Sequence, residues 1–252
     1  MTSRTNASTP CELLPWDTEF FGLPIGRVFG HTLDEQQAAN IDEWGSREKV
    51  AGLYFLAQPD CTRTIQTAER SGFDLVDIRV TFECTHLDPL TSDTRKSADI
   101  LIRPAQPQDL PGLQAIARTA HCDTRFFSDS HFSRGRAEAL YATWIELECQ
   151  GRAQQVFVAA VNSNSAVGYL SCHYDTTSAV GQIGLVGIDS NFRGQGLGQA
   201  LVLTSLRWFA SQKARRVTVV TQGKNLAAQR LYQRCGFLIA NLQLWYHKWY
   251  LT

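Results

Sequence analysis

The sequence has no net charge and no long apolar run. Its 252 residues carry 24 Lys and Arg against 24 Asp and Glu, so no overall field attracts nucleic acid or an anionic membrane. Apolar stretches such as 156–161 are far shorter than the roughly 20 residues that cross a bilayer, and the polar segment 1–10 lacks the apolar centre of a signal peptide. We therefore expect a cytoplasmic protein with neither nucleic acid nor membrane as a partner.

The cysteines are odd in number, and no two of them form a C-x-x-C pair. A disulfide framework or a zinc site would need tighter and paired spacing. We expect small buried residues in a reducing compartment and no metal site. The seven cysteines are Cys11, Cys61, Cys84, Cys122, Cys149, Cys172 and Cys235.

Two patterned regions flank the polar segment 88–97, which is rich in turn formers and charge and indicates a linker. We predict an N-terminal α/β domain at 1–90 and a second domain at 98–252. A hairpin turn is expected at 162–165. The predicted helices are 34–48, 61–71, 107–120, 134–148, 197–211 and 225–235. The predicted strands are 52–57, 73–84, 100–103, 155–161, 166–174, 182–188, 216–221 and 237–250.

The two regions share a weak internal echo. Arg70-Ser71-Gly72-Phe73 and Arg234-Cys235-Gly236-Phe237 each lie between a predicted helix and a predicted strand. Two unrelated helices that end at a glycine would look the same. We favour the interpretation that the first domain is a shortened, degenerate copy of part of the second.

The strongest local motif is a glycine-rich turn between a predicted strand and a predicted helix. Gly194, Gly196 and Gly198 follow Arg193 there, and glycine lets the backbone approach a ligand closely. The helix that begins after this turn presents free N–H groups and a positive dipole end, which suit a pyrophosphate. The turn alone could be a tight connection, and no Walker Lys-Ser or Lys-Thr follows it.

A second motif lies on the predicted helix 225–235. Asn225, Gln229 and Tyr232 are spaced i, i+4 and i+7, so they share one face. An Asn at this place is also a good helix N-cap, and the Tyr could be an interfacial aromatic. A tyrosine hydroxyl that faces a thioester could protonate a departing thiolate, because phenol stays protonated at working pH.

Together these motifs resemble the acyl-CoA signature of the GNAT acetyltransferase superfamily. The R-x-x-G-x-G form and the N-x-x-A-x-x-L-Y-x-x-x-G-F form occur in the family's order. The resemblance spans about residue 100 to the C-terminus and implies an α/β (α+β) GNAT fold with a mixed, mostly antiparallel central sheet flanked by helices. Many members carry a proline that the stretch 187–190 lacks.

The resemblance also implies acetyl-CoA as co-substrate and Tyr232 as the catalytic proton donor. The loop backbone would hold the CoA pyrophosphate, the preceding strand would bind the pantetheine arm, and Asn225 would contact that arm. The implied CoA-binding residues are Val186, Gly187, Ile188, Arg193, Gly194, Gln195, Gly196, Leu197, Gly198 and Asn225.

The opening segment 14–22, LPWDTEFFG, resembles the start of the TDP-fucosamine acetyltransferases, which acetylate the 4-amino group of a nucleotide-linked amino-deoxy sugar for bacterial surface polysaccharide. The two-domain length and the aromatic run 245–250 fit the same group. Arg125, Phe126 and Phe127, with 131–132 and 141–146, resemble its acceptor wall. This implies an amino-sugar nucleotide bound by Arg125 and Phe126, although both phenylalanines could instead anchor a loop to the core.

Three functions stay open at this point. The first is a nucleotide-sugar N-acetyltransferase, for which we expect a basic pocket near Arg125. The second is an acetyltransferase for a protein N-terminus, a polyamine or an antibiotic, and the third is an inactive acyl-CoA sensor. His173, Asp175 and Asp189 end strands near the expected cleft, but none is assigned as a base. The sequence allows a homodimer and does not fix the oligomeric state.

Overall fold

The computed structural model describes residues 9–87, 100–161 and 165–250. These residues divide into two units. One runs up to Arg79 and also takes the residues from Leu242, and the other runs from Val80 to Asn241. The C-terminal half of the last strand joins the first unit because Leu244 to Trp249 pair with Gly52 to Ala57 there. The predicted linker lies outside the described residues, and the domain limits at 90 and 98 stay a prediction.

The first unit combines short strands with three helices. Strand β1 pairs antiparallel with β2, β2 pairs parallel with β3, and β3 pairs antiparallel with the end of β10. A capping box between Asp34 and Gln37 starts α2 at its predicted place. The elements are β1 (Cys11–Leu13), α1 (Pro15–Phe21), β2 (Ile25–Val28), α2 (Glu35–Arg47), β3 (Gly52–Ala57), α3 (Thr62–Arg70), the start of β4 (Asp74–Cys84) and the end of β10 (Leu238–Trp249).

The second unit carries a sheet whose order runs from β9 through β8, β7 and β6 to β5. Strands β5 to β8 pair antiparallel, and β8 and β9 pair parallel. The predicted fold class, a mixed and mostly antiparallel sheet flanked by helices, is confirmed. The elements are β5 (Ile100–Pro104), α4 (Leu110–Ala120), α5 (Arg125–Ser128), α6 (Arg134–Leu147), β6 (Gln155–Val161), β7 (Ser165–Asp175), β8 (Val180–Ile188), α7 (Leu197–Ser211), β9 (Arg216–Gln222) and α8 (Leu226–Arg234).

Most predicted elements appear within two residues of their expected limits. Short elements were missed, namely β1, α1, β2 and α5, because three to seven residues give too little periodicity to detect. The segment 14–22 that carries the acceptor-family resemblance forms α1, which ends at Gly22 in the left-handed conformation. The predicted hairpin turn includes 162–164, which lie outside the described residues.

Helices α3 and α8 end in the same way. In each, a phenylalanine N–H donates to a carbonyl five residues earlier, from Phe73 to Ala68 and from Phe237 to Tyr232, both at 3.0 Å. The preceding glycines, Gly72 and Gly236, have φ of 79° and 87°. These bonds are those of a Schellman helix end. They account for the repeated sequence, and the proposed duplication stays a prediction.

The residues described include no helix that is both long and apolar enough to cross a bilayer. They also contain no group of three His, Cys, Asp or Glu arranged to hold a metal ion. All seven cysteines are free thiols.

A bidentate ion pair anchors the start of α4 to β5. The guanidinium of Arg103 donates to both oxygens of Asp109 at 2.7 and 2.8 Å, and the side chains are 14% and 1% exposed. Asp109 also accepts from the Gln106 N–H at 2.7 Å. The hydrogen bond from Arg103 holds the pKa of Asp109 below its usual range. This pair holds the N-terminal end of α4 in place. The C-terminal end of the same helix lies at the cleft between β8 and β9.

We expect Asp109→Ala to lower the free energy of unfolding by about 3 kcal/mol, the low end of the range for a buried pair, because it leaves the partly buried Arg103 guanidinium without its partner. Since the pKa is lowered in the folded state, the pair stabilises the protein above the unfolded carboxyl's value and loses that contribution as the pH falls below about 4. Urea unfolding at pH 7 and at pH 3 measures both effects. Glu35→Ala, which breaks the exposed Arg63 pair, should leave stability near wild type, and equal losses in the two variants would contradict the prediction.

Candidate active site

Strands β8 and β9 diverge along their length and open a cleft. They pair only from Val180 to Ile183 against Arg216 to Val219, and in the described chain no pairing joins Gly184–Ile188 to β9. The cleft has a volume of about 570 Å³, and residues of both strands line it. Because β8 bonds to β7 on its other edge, its edge toward β9 keeps peptide N–H and C=O groups for a ligand.

A bulge in β8 marks the narrow end of this cleft. The β7–β8 register shifts between Leu170 and Cys172, and Ser171 Oγ accepts from the Leu185 N–H at 2.8 Å. A Cβ on Gly184 would lie 2.6 Å from Ser171 Oγ. A side chain at 184, where the two strands begin to separate, would therefore have to displace Ser171 from its hydrogen bond to Leu185.

The wide end of the cleft is built by the glycine-rich turn. Gly194 and Gly196 have φ of 76° and 82°, which an L side chain adopts only with strain. Gly196 caps α7, and its carbonyl accepts from the Ala200 N–H at 3.0 Å. The first turn of a helix leaves its own N–H groups without intrahelical partners. Gly198 lets α7 approach α8, since a Cβ there would lie 3.0 Å from Leu231.

Charge in the cleft favours an anion at this end. Arg193 and Arg234 line it, and Asp123 is its one lining carboxylate among the described residues. The Arg193 Nε donates to the Ile188 carbonyl at 3.2 Å, which keeps the guanidinium beside the turn. Two cations, helix N–H groups and glycines without side chains are the features of a pyrophosphate site.

Helix α8 forms one side wall with Tyr232 and Asn225. The Tyr232 ring is buried between Phe82 and Phe237, with centroids at 5.8 and 5.9 Å. Burial raises the pKa of its hydroxyl above the usual value, so this group stays protonated at every working pH. Asn225 Oδ1 accepts from the Ala228 N–H at 3.1 Å, so Asn225 is both the helix cap and a cleft residue.

The opposite wall is aromatic and comes from α4 and α6. His121, Tyr141 and Trp144 line it. The His121 ring stacks on Tyr141 at 4.4 Å, and its Nε2 lies 2.9 Å from the Tyr169 hydroxyl. Burial, aided by the nearby Arg193, lowers the pKa of His121 to about 4. His121 was not among the residues predicted from the sequence, although a polar residue directly after an amphipathic helix is a signal that could have found it.

Residues 116–237 match the family model described as acetyltransferase (GNAT) family. They include the cleft's two strands, its glycine-rich turn and the helix that carries Tyr232. Residues 116 to 237 form a GNAT acetyltransferase domain.

Two curated proteins and one solved structure show what the chain is similar to. A spore coat polysaccharide biosynthesis protein, SpsD of Bacillus subtilis (strain 168), is 30% identical over 58% of this chain, and the match spans only 50% of that protein. The dTDP-fucosamine acetyltransferase of Escherichia coli O6:H1 is 24% identical over 94% of this chain and 97% of its own length. A GCN5-related N-acetyltransferase from Sphaerobacter thermophilus has a TM-score of 0.70 at 16% identity, covering 95% of this chain and 76% of that one.

The GNAT cleft brings together most of the predicted CoA-binding residues and the predicted proton donor. Gly187 and Gln195 do not line the cleft. Gly187 packs on the Tyr169 ring, where a Cβ would be only 2.6 Å away, and the Gln195 amide donates to the Asn191 carbonyl at 3.4 Å. The predicted residues that do line it are Val186, Ile188, Arg193, Gly194, Gly196, Leu197, Gly198, Asn225 and Tyr232.

The two predicted acceptor residues lie on α5, behind the aromatic wall. Phe126 is 3% exposed and packs against Phe132 and Trp144, with centroids at 5.3 and 6.1 Å. The Arg125 guanidinium lies 4.3 Å from the centroid of the Phe126 ring. Neither residue is part of the cleft lining. Phe126 is thus placed to support Trp144 from behind, which is the core-anchor alternative left open by the sequence.

Two of the three unassigned base candidates have local structural roles. Asp175 accepts from the Thr177 N–H and the Ser178 hydroxyl, which closes the turn after β7. Asp189 accepts from the Asn191 N–H at the start of the glycine-rich turn. The third candidate, His173, instead lies beside the buried carboxylate of Glu148.

Proposed function

We propose that the protein transfers an acetyl group from acetyl-CoA to the amino group of a nucleotide-linked amino-deoxy sugar. The product would serve bacterial surface polysaccharide biosynthesis in the cytoplasm. The proposed acyl transfer is supported above all by the cleft between β8 and β9. Both the glycine-rich turn, which suits an anion, and the buried Tyr232 line this cleft.

The cleft residues fit CoA. Backbone N–H groups at the start of α7, together with Arg193 and Arg234, would hold the pyrophosphate, since Gly194 and Gly196 have no heavy atom within 4 Å of the Cβ position. The free edge of β8 from Gly184 to Ile188 would bind the amide-rich pantetheine arm. When bound, acetyl-CoA supplies an activated thioester.

Tyr232 would donate a proton to the sulfur that leaves as the amine takes the acetyl group. Its hydroxyl is protonated because burial raises its pKa. Burial makes this phenol a weaker acid than a solvated one. It can therefore transfer its proton only as the negative charge of the thiolate develops beside it. That requirement ties proton donation to the reaction step itself.

The acceptor class rests on three observations. Two relatives are named for polysaccharide or amino-sugar chemistry, and one of them matches nearly the whole chain. Tyr141 and Trp144 provide flat apolar faces that suit a pyranose ring. Arg125 and Lys224 add positive charge on or near α5, where the Lys224 Nζ donates to Ser128 Oγ at 2.7 Å. The carboxylate of Asp123 in the cleft lining instead favours a cationic acceptor, such as a polyamine.

A thiol-release assay with acetyl-CoA tests the proposal. The acceptor panel should contain TDP- and UDP-linked amino sugars, polyamines, aminoglycosides and peptides with free N-termini. We expect release with a TDP-linked 4-amino-6-deoxyhexose above all others. Turnover of polyamines or peptides alone would overturn the acceptor class. Tight acetyl-CoA binding without any thiol release would favour a sensor.

Because Arg125 lies outside the cleft lining, we propose that the diphosphate of the nucleotide sugar extends past the cleft to reach it. Arg125→Ala should then raise the KM for the nucleotide sugar by about tenfold, as expected for losing a charge-assisted contact worth roughly 1.5 kcal/mol. The KM for acetyl-CoA should change little. Initial rates measured with each substrate varied in turn check both constants. Arg118→Ala, an exposed arginine on α4, is the matched control and should leave both unchanged. An equal rise in the two KM values for Arg125→Ala would mean that this residue supports the whole cleft.

A further inference from the structure

A buried carboxylate and an imidazole meet beside the narrow end of the cleft. The Glu148 side chain is 7% exposed, and its Oε2 lies 2.7 Å from His173 Nε2. Glu148 opens the π-helical turn Glu148–Arg152 that follows α6, and His173 lies on β7. Single π-turns are frequent at functional sites.

Gly184 brings this pair next to the cleft. A Cβ at this position would lie 2.9 Å from His173 Nε2, so the imidazole packs directly against the β8 backbone. Gly184 lines the cleft and follows Ile183, the last residue of β8 that pairs with β9. The pyrophosphate turn is at the opposite, wide end. The acetyl end of a bound acyl-CoA would therefore lie near Gly184.

The Glu148 carboxylate has the His173 imidazole as its close ionisable partner, 2.7 Å away. A carboxylate this deeply buried is costly unless a cation or several donors face it. The Arg152 Nε is 3.9 Å from the other oxygen, Oε1, and its side chain is 59% exposed. The thiols of Cys149 and Cys172 are also near Glu148, and their pKa values are raised by burial and by the Glu148 charge. These thiols stay neutral, and the imidazole lies closer to the carboxylate than the Arg152 guanidinium does.

We propose that His173, supported by Glu148, accepts the proton that the acceptor amine loses during acyl transfer. This inference rests on the proposed acyl transfer but not on the identity of the sugar. The amine nitrogen forms the C–N bond as the C–S bond breaks. One amine proton passes through water to the imidazole, which becomes an imidazolium beside Glu148, and Tyr232 protonates the sulfur.

His121 is the competing histidine, because it lines the cleft directly. It lies near Arg193, toward the pyrophosphate end, and its Nε2 is engaged with the Tyr169 hydroxyl. Its lowered pKa of about 4 makes it a weak proton acceptor at neutral pH. His173 has the carboxylate partner and lies beside Gly184, at the end where the chemistry would take place.

The test is the pH dependence of kcat/KM for whichever amine the wild-type enzyme acetylates, measured for His173→Gln, Glu148→Gln and His121→Gln. His173→Gln should lower kcat/KM at pH 7 by about 10²-fold or more. It should also remove the acidic limb of the profile, which is the fall in kcat/KM toward low pH. Glu148→Gln is isosteric and should move the acidic limb to lower pH, since the imidazolium loses its counter-charge. His121→Gln should leave the limb in place. Asp175→Asn, which changes an exposed acid on the same strand, is the matched control.

Acetyl-CoA affinity and the melting temperature identify variants that are folded and loaded. If His173→Gln fails to fold, the position of the acidic limb in Glu148→Gln is by itself sufficient to test the inference. The inference would be overturned if the acidic limb were unchanged both in Glu148→Gln and in a folded His173→Gln. It would also be overturned if the limb moved only in His121→Gln. Absence of thiol release by the wild type with every amine would instead overturn the proposed function.

Discussion

Gly196→Asp is expected to abolish measurable acetyl-CoA binding. Gly196 caps α7 with φ of 82°, and an aspartate there would place its carboxylate where the pyrophosphate should bind. Two unit charges about 4 Å apart near a protein surface repel by about 4 kcal/mol, which alone corresponds to a loss of roughly a thousandfold in affinity. The strained backbone conformation costs about 1–2 kcal/mol of folding stability, which is separate from the loss of affinity.

Titration calorimetry with acetyl-CoA measures this loss. Gly30→Asp is the matched control, because Gly30 also has positive φ, at 79°, and no heavy atom within 4 Å of its Cβ position. That variant should suffer the same strain and the same added charge without losing affinity. Unchanged CoA affinity in a folded Gly196→Asp variant would show that the turn does not bind the pyrophosphate.

Tyr232→Phe should lower kcat by about 10²- to 10⁴-fold, the usual range for loss of a general acid. That loss corresponds to about 3–5 kcal/mol of barrier. The ring packs between Phe82 and Phe237, and a phenylalanine preserves that packing. The KM for acetyl-CoA should therefore stay nearly constant, which is the pattern of an interaction made mainly in the transition state.

Steady-state kinetics on the purified variant check this prediction. Tyr174→Phe is a control of the same chemical change on β7, at a residue outside the cleft lining, and should keep wild-type kcat. A folded Tyr232→Phe enzyme that keeps more than about half of the wild-type kcat, far outside the expected range, would show that solvent protonates the sulfur and that Tyr232 is structural.

Most of the residues predicted from the glycine-rich turn and from α8 line the cleft, because the sequence signals for these two segments are local. Glycines at 194, 196 and 198 and the helix after them form one continuous motif, and α7 begins and ends where predicted. The spacing from Asn225 to Tyr232 likewise fixes one face of one helix, and both residues line the cleft.

The aromatic wall of the cleft and the Glu148–His173 contact were harder to predict, because each is assembled from distant segments. His121 and Trp144 come to line the same cleft only because α4 and α6 pack side by side. The contact of Glu148 with His173 depends on the π-turn after α6 and on the position of His173 along β7. Phe126 shows the ambiguity of an aromatic residue in a short segment. The same residue type suits a stacking contact and a core anchor, and the structure places it in the core.

The most direct test of the account is identification of the product. Wild-type protein incubated with acetyl-CoA and TDP-4-amino-4,6-dideoxygalactose should yield one new nucleotide sugar, and NMR should place its acetyl group on the 4-amino nitrogen. Stoichiometric free CoA should accompany it, and Tyr232→Phe should form the same product far more slowly. An acetylated hydroxyl, or CoA release without any acetylated sugar, would contradict the central claim that this cleft transfers acetyl groups to an amino-sugar nucleotide.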